Sequence, residues 1–236
     1  MDELHEEARQ GFGLNLSDAQ LVAFSRYAAV LTEWNERINL TAIREPRDVR
    51  VKHFLDSLSC IRAFTTAPES LIDVGTGAGF PGLVLKIIYP DLKLTLVESV
   101  GKKARFLEQV VQELGLTEVT VLARRAEEVG QDPAHRERYE WAAARAVAQL
   151  PVLVEYLLPL VRVGGWALAQ KGDTASDELG RAKKAIQQLG GRDSRVERVQ
   201  VPGLDDERYL VILEKKRATP REYPRLPGTP SKKPLV

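Results

Sequence analysis

The chain holds one cysteine, Cys60, in 236 residues, so it has no intrachain disulfide framework. That thiol sits between Leu58 and Ile61 and reads as packing, and its solitude fits a reducing cytoplasm. Histidine is scarce as well. His53 has no second histidine near it and there is no cysteine pair, so no metal site is expected. No Ser-His-Asp arrangement can be inferred, because Asp56-Ser57 by itself is not a signal. Charge of one sign is not in excess: 34 Lys and Arg against 33 Asp and Glu leave a net charge of +1. A uniform attraction to nucleic acid is thereby excluded, and any basic surface must come from local clustering. Long hydrophobic runs are missing. The longest, Leu150–Val163, is broken by Glu155 and is too short to cross a bilayer, so no membrane partner is expected. The opening M-D-E-L-H-E-E-A-R-Q is acidic without an apolar centre, which is not the pattern of a signal peptide. No internal repeat is visible. What remains is ordinary globular composition, 44% hydrophobic and 28% charged, long enough for one good-sized α/β domain with an appendage.

The stretch that organises the chain is L-I-D-V-G-T-G-A-G-F-P-G, Leu71 to Gly82. An apolar run ends on Asp73, glycines follow at 75, 77, 79 and 82, and after Pro81 an apolar-periodic segment begins. This is a strand, a tight turn and a helix, with glycines that let backbone approach a ligand. Gly77-x-Gly79-x-x-Gly82 fits a dinucleotide fingerprint. Asp73-x-Gly75-x-Gly77-x-Gly79 instead resembles the first motif of Rossmann-like methyltransferases, which bind S-adenosylmethionine. An acid at the strand end suits the cationic methyl donor and would repel a pyrophosphate, so Asp73 tilts the choice toward the donor.

Residues 1–68 look helical, with helices expected from Asp18 to about Arg37 and from Pro46 to about Ile61, and a turn or cap at Asn39 and Thr41. From Leu71 strands and helices alternate. Strands are expected at Leu71–Val74, Leu92–Glu98, Val119–Leu122, Tyr139–Ala144 and Trp166–Gln170. Helices are expected at Gly82–Tyr89, Lys102–Leu114, Leu150–Val161 and Asp177–Leu189. Two last strands, Arg195–Val201 and Arg208–Glu214, are separated only by a short loop and suggest an antiparallel hairpin at the sheet edge. Such a hairpin is typical of S-adenosylmethionine-dependent enzymes and is foreign to the six-stranded dinucleotide fold. The expected architecture is α/β: a Rossmann-like class I methyltransferase with a mostly parallel seven-stranded sheet. Three segments follow: an N-terminal helical extension over 1–68, a cofactor-binding domain over 69–215, and a basic, Pro-rich tail over 216–236. Proline at that density precludes regular structure, and two readings of the tail stay open: a solvated extended tail, or a basic arm on RNA phosphates.

Glu98 ends the second strand about twenty residues beyond the loop, where an acid accepts hydrogen bonds from a ribose. Ala126 and Glu127, after the third strand, are candidates to meet an adenine ring. Arg145, after the fourth strand, is placed to meet a phosphate or a guanine edge at the ligand crevice, and Lys171 shares the logic with a weaker claim. Lys52, His53 and Asp56 fall on one side of a helix.

The set W-N-x-x-I-N-L-T, K-H-F-L-D-S, D-V-G-T-G-A-G-F-P-G, G-K-K-A-R-F-L, R-A-E-E, A-R-A-V-A and D-x-E-R-Y-L-V resembles the RsmG family, once called glucose-inhibited division protein B, from about Trp34 to the tail. The resemblance implies methylation of a guanine N7 in the decoding-region loop of 16S ribosomal RNA, with S-adenosylmethionine as cofactor. It implies small-subunit RNA or its ribonucleoprotein precursor as partner. Cofactor contacts are implied at Gly75, Phe80, Ala126, Glu127 and Arg145, joining Asp73, Gly77, Gly79 and Glu98. Gln170 stands where the family frequently has an aliphatic residue. Guanine N7 carries a free lone pair, so catalysis by positioning suffices and no base is singled out; Arg145, Asn39 and His53 are the candidates. RNA contacts are expected from Arg44, Arg47, Arg50, Lys52 and Lys171, and from the tail residues Lys215, Lys216, Arg217, Arg221, Arg225, Lys232 and Lys233. A monomer is expected. Two other functions stay open at this point: a nicotinamide-dependent oxidoreductase, and a non-catalytic RNA-binding module.

Overall fold

A computed structural model describes residues 1–235, excepting the side chains at 193 and 194; Val236, the end of the expected tail, lies outside the described residues. Seven strands form one sheet in the order β3-β2-β1-β4-β5-β7-β6. They are β1 Ser70–Val74, β2 Lys93–Val97, β3 Val119–Leu122, β4 Tyr139–Arg145, β5 Val161–Lys171, β6 Gly191–Val199 and β7 Arg208–Lys215. The first five run parallel, while β7 lies antiparallel between β5 and β6. The expected hairpin is therefore present, with its second strand inserted beside β5. Strand order reverses between β1 and β4, and the carboxyl ends of those strands open the crevice where ligands bind in such sheets.

The period-2 pattern of the strands divides the core into two layers. Leu71, Trp141, Ala143, Leu210 and Ile212 face one layer; Ile72, Ala142, Ala144, Val211 and Leu213 face the other. The first layer is shared with the N-terminal extension through Leu4, Phe24, Tyr27, Phe54 and Leu58. The extension thus has no core of its own and is fixed to the sheet. Helix α1 spans Asp2–Phe12, a segment in which the sequence reading marked no separate helix, and buries Leu4, Ala8 and Phe12. Helix α2, Asp18–Ile38, starts with a Ser17/Gln20 capping box and ends at Asn39, which takes a left-handed conformation. The helical run from Pro46 to Ala63 contains α3 Pro46–Val49, a π turn Arg50–Leu55, α4 Asp56–Leu58 and a 3-10 turn Ser59–Ala63.

Helices α5 Gly82–Ile88 and α6 Gly101–Glu113 follow β1 and β2, as expected, and α7 Ala126–Gln131 follows β3. Helix α8 is shorter than expected: it covers Leu150–Leu157 and β5 already begins at Val161. Pro159 explains this, since its ring clashes with the preceding turn and it has no N–H to give. Helix α9 spans Ala175–Gln188, and Gly190, at φ 88, turns the chain into β6.

The expectation of a loose tail fails. Residues 216–235 form a strap that packs on the second layer and ends in a short helix, α10 Thr229–Lys232. Arg136 donates to the carbonyls of Thr219, Pro220 and Tyr223, and Gln131 donates to those of Arg221 and Pro224. Arg225 forms an ion pair with the fully buried Glu155 at 2.6 Å. Lys215 is fully buried, donating to Thr219 Oγ1 at 2.6 Å and pairing with Glu137 at 3.1 Å; burial lowers its pKa to about 8 despite that partner. A proline-rich segment with no regular structure leaves backbone carbonyls unpaired, and here side-chain donors from the body satisfy them.

Candidate functional site

The glycine loop is closed by Asp73. Its Oδ2 accepts from Thr76 Oγ1 at 2.6 Å and from the Gly82 N–H at 2.8 Å, stapling the strand end to the start of α5. Oδ1 is buried without a partner. Burial raises the Asp73 pKa to about 6 against the opposing effect of those hydrogen bonds. Glu98 ties the same loop to β2: Oε2 accepts from Gly77 N–H at 3.1 Å and Oε1 from Val100 N–H at 2.8 Å. Gly75 takes φ 66, and a Cβ there would stand 2.6 Å from Val147 Cγ2, so glycine is required both for conformation and for space.

Two cavities open at the crevice. The first, about 240 Å³, is lined by Val74 and Gly75 from β1 and the loop, by Val97 and Ser99 after β2, and by Arg124, Arg125, Ala126 and Glu127 after β3. Val147, Ala148 and Tyr156 complete it together with Gly228 and Ser231 of the strap. The second, about 380 Å³, is lined by Ile43, Lys52, His53, Asp56, Arg145, Ala146, Gln170, Lys171, Gly172 and Arg208. The chain from Arg145 to Ala148 passes between them, with Ala146 at φ 55.

The second cavity is built around Asp56, whose side chain is 4% exposed. Arg145 Nη1 donates to Asp56 Oδ2 at 2.8 Å, and Arg208 Nε donates to Oδ1 at 2.9 Å. Arg145 also donates to the Lys52 carbonyl at 2.9 Å and from Nη2 to His53 Nδ1 at 3.2 Å. A guanidinium has no lone pair to offer, so Nδ1 is the acceptor and the imidazole proton is on Nε2, 3.0 Å from Thr41 Oγ1. Burial first, and the Arg145 charge second, hold the His53 pKa near 3. The ring is therefore neutral near pH 7. It stacks on Phe80 with centroids 4.4 Å apart, and Arg145 lies 5.1 Å over the same phenyl ring. Asn35 supports this arrangement by a paired hydrogen bond with the Thr41 backbone.

Several expected site residues meet here and others do not. Lys52, His53 and Asp56 share one cavity with Arg145 and Lys171, as one helical face requires. The π turn, which widens the helix just ahead of Asp56, is a device often found at functional positions. Gly75, Ala126 and Glu127 line the other cavity. Phe80 is 3% exposed and belongs to the stack that links Tyr27, His53 and Arg145. Asp73, Gly77 and Glu98 shape the loop through its backbone, and Gly79, at φ 96, turns it under Tyr27. Asn39 is exposed at the end of α2, where its Oδ1 accepts from Arg44.

Among the expected RNA contacts, Arg50 is consumed by Glu7 at 2.8 Å and by Glu3, pinning α1 to the π turn. Lys215 and Arg225 are held inside the strap, Arg217 donates to the Gln187 carbonyl, and Lys216 pairs with Glu214. Arg50, Lys215 and Arg225 are thus corrected from phosphate contacts to internal clamps, whereas Lys216 and Arg217 stay exposed beside their partners. Lys171 pairs with Glu178 at 2.7 Å while still lining the second cavity. Arg44, Arg47, Lys52, Arg221, Lys232 and Lys233 remain exposed.

Arg208, Gln170, Tyr156, Gly228 and Ser231 were not foreseen. Gln170 donates to the Asp56 carbonyl at 2.7 Å and to Ser59 Oγ at 3.2 Å, which gives a buried amide its partners and fixes the helix carrying Asp56. For Arg208 a signal existed in the D-x-E-R-Y-L-V motif at the start of the last strand. For Gly228 and Ser231 there was none, because nothing local says that a tail folds back.

The first cavity carries both signs of charge, and a loop amide that a pyrophosphate would use is already taken. Glu127 lines it beside Arg124 and Arg125, while the carboxylates of Asp73 and Glu98 brace the glycine loop from behind, Glu98 already engaging the loop amide of Gly77. Among the described residues, no group of three or more His, Cys, Asp or Glu is arranged to hold a metal ion, and no helix is long and apolar enough to cross a membrane.

A family model described as rRNA small subunit methyltransferase G matches residues 20–210. Ribosomal RNA small subunit methyltransferase G of Roseiflexus castenholzii is 52% identical over 236 residues, covering all of both chains. Its counterpart in Alkaliphilus metalliredigens is 50% identical over 96% of this chain and 95% of its own. Among solved structures, a putative O-methyltransferase from Klebsiella pneumoniae has a TM-score of 0.57 at 12% identity, covering 91% of this chain and 97% of its own. TrmN from Thermus thermophilus gives 0.52 at 17% identity over 68% of this chain and 48% of its own. Both share the fold.

Proposed function

The chain belongs to the rRNA small subunit methyltransferase G family, and within it we propose that the two cavities bring S-adenosylmethionine to N7 of a guanine in the decoding-region loop of 16S ribosomal RNA. The protein is a methyltransferase, and its substrate is small-subunit ribosomal RNA. The family match sets aside the oxidoreductase and the non-catalytic module.

The observation that carries the detailed reading is the pair of cavities separated only by the turn after β4. S-adenosylmethionine, when bound, supplies a methyl carbon on a positively charged sulfur. Gly75, Ala126, Glu127 and the Asp73-stapled loop would hold it. In the second cavity Arg145, Arg208, Lys52 and Lys171 outnumber Asp56 in charge, which favours the phosphates flanking a target base. The arginines are fixed by Asp56 and His53, so the cavity is ordered before RNA arrives, and positioning is the main contribution open to it. Neutral His53 takes no proton from guanine, and none would need to leave, because N7 offers a free lone pair to the methyl group that S-adenosylmethionine would supply. A ribosomal RNA substrate supports action in the cytoplasm, on naked RNA or its ribonucleoprotein precursor.

The test is chemical cleavage of enzyme-treated small-subunit RNA at N7-methylguanine. A single new cleavage in the decoding-region loop, dependent on S-adenosylmethionine, is expected. Methyl incorporation without such a cleavage would overturn the N7 assignment.

A further inference from the structure

We infer that the C-terminal strap is a working wall of the first cavity, positioning Glu127 and closing the nucleoside end of the site. This rests on the reading that the cavity takes S-adenosylmethionine. The strap lies beyond residue 210, where the family match ends, and its composition suggested a free arm. Its geometry says otherwise. The Gly228 N–H donates to Glu127 Oε1 at 2.8 Å, and Ser231 Oγ lies 2.9 Å from the Tyr156 hydroxyl. Gly228, Ser231, Glu127 and Tyr156 all line the cavity. Gly228 sits at φ 82, the left-handed conformation that glycine adopts without strain, and this turn aims its amide at the carboxylate.

Two anchors make the wall firm. Glu155, fully buried on α8, accepts from the Arg225 backbone N–H at 2.8 Å and from its guanidinium at 2.6 Å, one helical residue from Tyr156. Pro224 packs so closely on α7 that a Cβ at Gly130 would stand 2.7 Å from its Cγ. The strap is thereby clamped to the same two helices, α7 and α8, that present Glu127 and Tyr156. With Oε1 of Glu127 engaged by Gly228, Oε2 is the oxygen left to accept from a ligand amine, so the strap chooses the orientation of the carboxylate. The chemical class that fits is a nucleoside whose base offers a donor.

The experiment uses the full chain. Hydrogen exchange is measured with and without saturating S-adenosylmethionine, and affinities for it and for S-adenosylhomocysteine are measured by titration calorimetry. Ligand should slow exchange both in the glycine loop, 75–79, and in the strap, 226–232. Ser231→Leu, at an exposed position where folding is spared, should push into the cavity and weaken both ligands about tenfold. Lys233→Leu, which does not line the cavity, should stay within about twofold on the same scale. Protection of the loop without protection of the strap, or a Ser231→Leu affinity equal to wild type, overturns the inference while leaving the methyl-donor reading intact. If the wild-type protein shows neither protection nor heat with either ligand, the functional reading itself falls and the inference with it.

Discussion

Arg145 and Asp56 form a 2.8 Å ion pair that joins the end of β4 to the helical run of the N-terminal extension. The carboxylate is nearly inaccessible and Arg208 occupies its other oxygen. Removing Asp56 would leave two guanidinium groups facing each other in a half-closed cavity. Asp56→Ala should therefore cost about 3–5 kcal/mol of stability, the range for breaking a buried pair. Urea unfolding at unchanged slope checks it; a loss below about 1 kcal/mol would mean the pair is solvated as a surface bridge is.

Arg145→Ala should behave differently. It removes the donor to His53 and the cation over Phe80, both at the turn between the cavities. Turnover should fall by about a hundredfold or more, as for misplaced positioning groups, with RNA affinity much less affected. Single-turnover methyl transfer at saturating RNA separates the two, and an equal loss in both would make Arg145 a plain phosphate contact.

Asp73 and His53 predict opposed pH dependences. The Asp73 pKa is raised on folding to about 6, so its contribution to stability is full at low pH and is lost as pH climbs through about 6. The His53 pKa is lowered to about 3, so the unfolded chain binds the proton more readily and stability grows as pH rises from about 3 toward the ordinary histidine value. Between about pH 4 and 6 the two slopes offset each other. Stability curves of Asp73→Asn should show the rise unmasked, and those of His53→Gln the fall. Matching wild-type and variant slopes would refute both shifts.

The fold was legible because its signals are local and repeated. Alternating apolar residues in β1, β4 and β7 carry one side chain to each layer, and the glycines between Asp73 and Gly82 mark the turn. The site was legible in part. Lys52, His53 and Asp56 follow from helical spacing, and Arg145 from its place after a strand. The errors came from long-range pairing: Arg50 is claimed by α1, and Lys215 and Arg225 by Glu137 and Glu155. Basic residues in sequence say nothing of which carboxylates the fold brings to them, and neither does a tail rich in proline say whether side-chain donors will satisfy its carbonyls.

Gly75 gives a test of space against conformation. A Cβ at this position collides with Val147, and its φ of 66 disfavours any other residue. Gly75→Ala should weaken S-adenosylmethionine binding, and adding Val147→Ala should restore only the steric part, leaving about 1–2 kcal/mol of left-handed strain. Full recovery in the double variant would show that space alone demands glycine, and wild-type affinity in Gly75→Ala would remove the loop from the binding site.

The last prediction concerns how a nearly neutral chain grips RNA. The internal clamps take Arg50, Lys215 and Arg225 out of play, so the exposed bases beside the second cavity are left to meet phosphates. Arg44, Arg47 and Lys52 are exposed on the segment that carries His53, and Lys52 lines that cavity while pairing only with Asp48 on its own helical run. Exposed Arg221, Lys232 and Lys233 instead ride on the strap, whose Gly228 and Ser231 line the first cavity. Each phosphate contact on single-stranded RNA contributes about 0.7 to the slope of log affinity against log salt. The triple variant Arg44→Ala, Arg47→Ala, Lys52→Ala should thus flatten the slope by about 2. Replacing Arg221, Lys232 and Lys233 by alanine removes the same charge and should leave the slope where it was. Filter binding across a salt series reads both. If the strap variant flattens the slope and the helical variant does not, the RNA lies across the cofactor side, and the assignment of the two cavities must be exchanged.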